Sequence, residues 1–448
     1  MAVHETFRFK TLDELRAKIA EMGLDLPLDD DGLILAKPVK IGALTAPNAL
    51  IIHPMEGCDG KADGKPDELT IRRYERFAAG GSGLIWFEAT AVTPEARANP
   101  RQLYICQENV AAFRWLLEHS LEMARQANGA DFRPLTVLQC THSGRYSRPI
   151  DKPAPIIAHH DGLLDKVLNV PPDQPIISDD ELDRLQDRYV EAAKCAQEAG
   201  FDAVDIKSCH RYLLSELLAA HTRPGKYGGS FENRTRFLLS VVERIRAEVP
   251  GIMVTSRLNI YDGHPYPWGW GVSQESAKIE DLRESLKLVK MLQERGLVLL
   301  NATAGNPYFT PQINRPYDIP IVGGKTPEEH PLEGVTRIIH QARQTQQSAP
   351  EMVIIGSGYS WLRQFLGHAA AAAIKRGWVK MIGVGRGGFA YPDFARDLTQ
   401  TGKLDPKKVC ITCSKCTQIM RDHGPTGCVI RDREVYAPIY NEGREKEH

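Results

Sequence analysis

The 448-residue chain contains no run of eighteen consecutive apolar residues, so no segment reads as a bilayer-spanning helix. It has no excess of either charge. The 56 Lys and Arg stand against 57 Asp and Glu, a formal net charge of −1, which leaves no electrostatic footprint for nucleic acid or an anionic membrane. It has no low-complexity tract and no repeat of 20–50 residues, which sets aside tails, solenoids and propellers. The amino terminus, MAVHETFRFKTLDELRAKIAEMG, alternates charge and lacks an apolar stretch, so no signal peptide is expected and the chain is expected to stay in the cytoplasm. What remains is ordinary for a globular protein, 42% apolar and 25% charged. The length allows one large domain with an extension, or two to three small ones.

Short β-rich apolar runs recur along the chain: 49–55, 83–92, 135–140, 203–209, 252–258, 298–305, 352–358 and 380–387. Runs of this kind are what parallel strands covered on both faces look like. Amphipathic stretches alternate with them, several ending at Gly, a common helix stop. Ser178 or Asp179 is placed to cap the third helix, and Ser273 or Ser276 the fifth. Eight such units predict an α/β fold of the (β/α)8 TIM-barrel type over residues 39–402; an open doubly wound sheet is the competing architecture. Residues 1–38 read as an N-terminal helix and arm, and 403–448 as a Cys-rich extension. The connections 141–178, 210–229, 259–275 and 304–330 are long and follow strands, so in a barrel they gather at the C-terminal face, where active sites are built.

The strand ends are polar where a plain core would be apolar: His53, Glu88, Gln139, Lys207, Arg257, Asn301 and Arg386. Buried polar groups need partners, so this convergence points to a polar ligand or to pairing across the rim. Glycines at the ends of the seventh and eighth runs, Gly356, Gly358, Gly383, Gly385, Gly387 and Gly388, let backbone N–H groups approach a phosphate. Nine cysteines are unevenly placed. Cys58, Cys106, Cys140, Cys195 and Cys209 are scattered, and all but Cys58 and Cys209 read as core thiols. Cys410, Cys413, Cys416 and Cys428 form C-x2-C-x2-C-x11-C, a spacing that favours an iron–sulfur cubane over structural zinc.

The YGGSFENRTRF segment (227–237), the HPM of the first strand (53–55), LQCTHSGRYS of the third (138–147) and the K-x-x-H-x-Y of KSCHRY (207–212) resemble the Old Yellow Enzyme family of FMN-dependent ene reductases. The resemblance runs from about residue 35 to 430. The appended cysteines resemble the branch with 2,4-dienoyl-CoA reductase and trimethylamine dehydrogenase, without the further nucleotide-binding domains of that branch. It implies a 4Fe-4S cluster on Cys410, Cys413, Cys416 and Cys428. It places Pro54, Met55, Glu56 and Ala89 along the FMN ring, Gln139 at its pyrimidine edge and Arg257 near N1 and O2. Gly358, Gly385 and Arg386 are implied for the phosphate. His210 and Tyr212 match a substrate-binding position and the proton donor. Lys207 stands where many members carry His, and Lys is a point charge rather than an imidazole.

The implied activity is reduction of an activated C=C bond of an unsaturated carbonyl or carboxylate substrate. Electrons arrive from NAD(P)H directly or from a donor flavoprotein or ferredoxin; whether the chain forms a homo-oligomer is left open. One alternative runs the cofactors in reverse, dehydrogenating an amine held in an aromatic bowl of Tyr146, Trp268, Trp270, Tyr308 and Phe309. Others are a Schiff-base lyase using Lys207 in a zinc-stapled barrel, and a non-catalytic electron-transfer subunit.

Overall fold

A computed structural model describes residues 4–446. Eight parallel strands close into a barrel: β1 Leu50–Ile52, β2 Leu84–Ala91, β3 Leu135–Thr141, β4 Ala203–Ile206, β5 Met253–Tyr261, β6 Leu299–Ala304, β7 Val353–Gly356 and β8 Met381–Val384. Each pairs with the next, and β8 pairs with β1. Every strand sits inside one of the eight apolar runs or overlaps it, so the closed barrel holds and the open sheet does not. Apart from the first residue of β5, all eight strands are buried throughout. That is why they carry continuous apolar runs rather than an alternation. Register shifts break the ladder in β2 between Phe87 and Thr90 and in β5 between Asn259 and Tyr261. Bulges of this kind re-aim side chains beside active sites.

The helix Asp179–Ala199 starts at Ser178, whose side chain accepts from the Glu181 N–H while Glu181 reaches back, a complete capping box. The fifth helix differs from the reading of its sequence. It begins at Arg283, and neither Ser273 nor Ser276 caps it. Their hydroxyls accept from Glu275 and Lys278 N–H groups in turns, and Val272 bridges Glu280, so the β5 loop closes on itself before the helix starts. Before the barrel, the helix Leu12–Glu21 starts at a Thr11–Glu14 capping box. Phe7 and Phe9 in the arm pack edge-on against Trp361.

Beyond the helix Phe394–Thr401, the extension holds the short helix Lys415–Arg421 and the helix Arg433–Glu445 around Ile419, Val429 and Tyr436. It is fastened over the barrel mouth. Asp432 accepts from Arg72 at 2.7 Å and pairs with Arg76, and the Thr426 N–H reaches the Gly57 carbonyl at 2.6 Å. Among the described residues, no helix is long and apolar enough to cross a membrane.

Candidate active site

The polar strand ends divide into two groups. His53, Asn301 and Ser357 bond to one another: His53 Nδ1 meets the Asn301 amide at 3.1 Å and Nε2 meets Ser357 Oγ at 3.1 Å, while Asn301 Oδ1 has no partner among the described residues. Gly383 makes room for this, since a Cβ there would lie 2.1 Å from the imidazole. Burial, with Arg257 adding, holds His53 well below its ordinary pKa, so the ring is neutral. Glu88 belongs to this interior group as well. It accepts from Arg73 at 2.8 Å and from the Gly57 N–H at 2.9 Å, so it is Arg73 that it pairs with, not Lys207. Asp205 is likewise engaged, accepting from Gln139 Nε2 at 2.5 Å, Trp86 Nε1 at 2.9 Å and the Arg257 N–H at 2.7 Å.

The second group faces a hollow at the mouth of the barrel. Its lining includes Pro54, Met55, Glu56 and Ala89 from the ends of β1 and β2, Gln139 from β3, Lys207, His210 and Tyr212 after β4, Arg257 from β5, and Arg386 after β8. Ten of the residues singled out in the sequence therefore share one cavity. Gly358 and Gly385 are not among its walls. Gly358 sits at φ +93°, where a Cβ would press on Ile338 at 3.0 Å. A glycine is thus required there on packing grounds, whatever binds nearby.

The charge in this hollow is one-sided. Arg257 is buried, and its Nε has no hydrogen-bond partner. Lys207 forms no ion pair among the described residues; its Nζ lies 3.6 Å from the centre of the Tyr212 ring, and burial lowers its pKa. Glu56 is the one carboxylate in the lining; burial raises its pKa while Lys207, the Asn99 amide, Cys58 and Arg73 act against that rise. A flavin ring accepts hydrogen bonds and takes on negative charge when reduced. An orphaned guanidinium and an amide held in place by Asp205 suit that donor demand.

His210 and Tyr212 are presented by a strained turn. His210 and Arg211 both have positive φ, +64° and +61°, a conformation costing about 1–3 kcal/mol per residue that persists only when the surroundings over-determine it. Here the surroundings are Arg211 itself. Fully buried, it pairs with Asp161 at 3.0 Å and with Asp262 at 3.5 Å, and donates to the Trp268 carbonyl at 2.5 Å. His264 braces Asp161 at 2.7 Å. Sequence reading missed this network, because Asp161 comes from the β3 loop and Asp262 and His264 from the β5 loop, with no spacing signal to link them. The turn leaves His210 Nε2 at 3.1 Å from the Asn314 amide and the Tyr212 hydroxyl at 2.8 Å from that of Tyr308. Burial keeps Tyr212 protonated far above pH 10 and His210 neutral.

The aromatic bowl takes a different form from the one expected. Tyr146 stacks on Tyr308 at 4.2 Å, with Tyr212 completing a trio. Trp270 is instead buried, donating to the Asn259 carbonyl, Trp268 lies over Gly162, and Phe309 packs on His264. The trio carries a cation already: the Arg421 guanidinium lies 4.5 Å from the Tyr308 ring centre. Arg315, also missed, is buried with Nε and Nη1 unpartnered. Burial, then Arg315 and Arg421, bring the Arg386 guanidinium down to about 9.

In the extension all four cysteines are free thiols. Cys410 Sγ accepts from the Thr412 N–H at 3.4 Å and Cys428 Sγ from the Arg431 N–H at 3.3 Å. Burial raises the Cys410 thiol, with Arg315 opposing and Cys416 and Cys413 adding, so the thiols share one neighbourhood. Even so, among the described residues no three His, Cys, Asp or Glu side chains are gathered to hold a metal ion. Of the scattered thiols, Cys140, Cys195 and Cys209 are buried and Cys106 is half-buried, less enclosed than a core thiol.

Comparison with known proteins agrees with this geometry. The profile of the NADH:flavin oxidoreductase / NADH oxidase family matches residues 34–312. An NADPH dehydrogenase of Halalkalibacterium halodurans is 28% identical over 312 residues, covering 68% of this chain and 84% of its own. Bilirubin reductase of Mediterraneibacter gnavus is 24% identical over 406 residues, 90% of this chain and 57% of its own. Among solved structures, a 2-naphthoyl-CoA reductase in complex with 2-naphthoyl-CoA superposes with a TM-score of 0.69 at 18% identity, over 92% of this chain and 58% of that one. The chain thus spans somewhat more than half the length of these last two proteins. The family match covers more than half of the sequence and takes in the strands β1 to β5 that carry most of the hollow's lining: this chain is a flavin oxidoreductase of the NADH:flavin oxidoreductase / NADH oxidase family, the Old Yellow Enzyme-like group.

Proposed function

We propose that the protein reduces an activated C=C bond of an α,β-unsaturated carbonyl or carboxylate compound, with FMN held across the barrel mouth by the 39–402 domain. The observation that carries this reading is the convergence of Gln139, Lys207, His210, Tyr212 and Arg257 on one hollow, with cations there that form no ion pair among the described residues. FMN, when bound, supplies a hydride to the β-carbon of an electron-poor alkene. The residues divide the remaining work. Pro54, Met55, Glu56 and Ala89 shape the slot for the ring. Gln139, its amide fixed by Asp205, meets the pyrimidine edge, and Arg257 places positive charge where reduction leaves negative charge. Arg386, in the wall of the hollow, would hold the phosphate, with Gly358 and Gly385 proposed to contribute from outside those walls. Lys207 and neutral His210 donate to the substrate oxygen as it becomes anionic, a contribution of about 2.7–4 kcal/mol per donor. Tyr212, protonated and hydrogen-bonded to Tyr308, holds the proton for the α-carbon.

The extension, 403–448, is the proposed holder of a 4Fe-4S cluster through Cys410, Cys413, Cys416 and Cys428. The free state of all four thiols and the N–H donors at two of them support this. Such a cluster would exchange single electrons with a flavoprotein or ferredoxin, alongside direct NAD(P)H use, in the cytoplasm. Amine dehydrogenation fits less well: the aromatic trio already carries Arg421, with Lys207 against the Tyr212 ring, and a cationic amine is repelled there.

Anaerobic bleaching of the flavin band by NADH, NADPH or reduced ferredoxin, followed by recovery on adding an enone, tests the reading. Tyr212→Phe is expected to bleach normally and to lower turnover by roughly 10²–10⁴-fold, the range for loss of a general acid. Bleaching of the oxidised flavin by an amine, with no recovery of the bleached band on adding enones, would refute it.

A further inference from the structure

Beside the hollow lies a larger cavity, a gallery of about 610 Å³, within the size range of sites that enclose whole organic ligands. The two share Glu56, Tyr308, Met420 and Arg421 as walls, so the gallery continues the hollow away from the barrel axis. Tyr146, Pro153, Pro155 and Leu168 give it an apolar face. Its cations are of two kinds. Arg145 is neutralised by Glu216 and Asp165, and Arg148 pairs with Asp151 at 3.1 Å. Arg101 and Arg421 form no ion pair among the described residues. Arg421 covers Tyr308 at the hollow end, and Arg101 donates to the His423 carbonyl at 2.7 Å, joining the β2 loop to the extension.

We infer that the gallery receives the distal part of a large amphipathic substrate, an extended conjugated apolar body whose alkene lies in the hollow and whose far end bears a carboxylate or phosphate recognised by Arg101. The inference rests on the alkene-reducing reading and names the substrate class that reading left open. A small enone fills only the hollow. A longer conjugated body covers the apolar wall as well, and its terminal anion meets a guanidinium that no carboxylate engages. Charge-assisted hydrogen bonds to Arg are shorter and stronger than neutral ones and recognise the planar oxygens of such groups.

The test uses cofactor-loaded protein and a ladder of aryl enones with one, two or three phenylene rings between the enone and the terminus. The terminus is a carboxylate, its methyl ester or a phosphonate. The expected result is a kcat/KM that climbs with ring number and favours the acid over its ester by at least about tenfold at the longest length. Arg101→Met and Arg101→Gln should each bring that acid-to-ester ratio close to one. Preference for the phosphonate assigns the terminus to phosphate, and preference for the carboxylate assigns it to a carboxylic acid. Equal kcat/KM for acid and ester in the unmodified protein, or a ratio untouched in both variants, overturns the inference. Equilibrium dialysis of the saturated three-ring acid separates the two readings: binding that weakens about tenfold in Arg101→Gln upholds the gallery even where no enone is reduced. Absence of that binding refutes the gallery while leaving enone reduction standing.

Discussion

Two sets of arginines in this molecule obey opposite rules. Arg73, Arg145 and Arg211 are buried, and each is met by two carboxylates: Asp59 and Glu88, Asp165 and Glu216, Asp161 and Asp262. Arg257, Arg315, Arg386 and Arg421 line or adjoin the mouth, and none forms an ion pair among the described residues. The first set shapes loops. The second leaves positive charge with no protein counter-ion, which costs stability unless an anionic ligand supplies the missing partner. The difference separates cations that build the site from cations that use it.

The contrast breaks first at Arg211. Arg211→Met removes the partner of two buried carboxylates and is expected to cost about 3–5 kcal/mol of stability, read as a lowered denaturant midpoint, and to loosen the turn that carries His210 and Tyr212. Arg257→Met, from the other set, should instead leave the cofactor-free fold almost unchanged. Its expected loss is about 2.7–4 kcal/mol of transition-state stabilisation, seen as a fall in kcat/KM together with weaker flavin retention. Were Arg257→Met to unfold the chain and Arg211→Met to spare it, the division between the two sets would be wrong.

A smaller effect sharpens the account of the floor beneath Arg257. Burial pushes the Asp205 carboxyl up to about 6. A raised folded-state value favours the protonated form on folding, so this contribution is fully present below about pH 4 and is lost as pH rises through about 6. The melting temperature of the unmodified protein relative to Asp205→Asn should therefore decline between pH 4 and 7, by the equivalent of about 3 kcal/mol at most. A flat difference would place Asp205 in a better-compensated environment than its three donors provide. The smallest effect is expected at Arg421→Met. With no carboxylate to strand, it should change stability by less than about 1 kcal/mol while altering binding in the hollow.

The barrel was legible because each strand is buried on both faces and so announces itself as an apolar run; even its polar ends could be picked out against that background. The mouth residues were legible for the same reason, from Gln139 to Arg257. What escaped was whatever depends on loops meeting loops. Arg211 lies between two singled-out residues, yet its partners lie 50 and 51 positions away, and no periodicity connects them. Trp268 and Trp270 were grouped with the aromatic bowl by type, whereas the bowl is made by tyrosines from three separate loops. Arg315 and Arg421 carry no local pattern; the one available signal was that Arg421 lies inside the cysteine motif, five residues after Cys416.

The central claim is that the uncompensated cations at the mouth exist to meet a bound flavin, with the extension's thiols beside them. Anaerobic purification followed by a visible spectrum and analysis for flavin, iron, sulfide and zinc tests it most directly. The account predicts a yellow-brown protein that releases stoichiometric FMN on boiling and holds iron and sulfide in equal amounts. A colourless protein carrying zinc, which takes up no FMN on reconstitution, would contradict it.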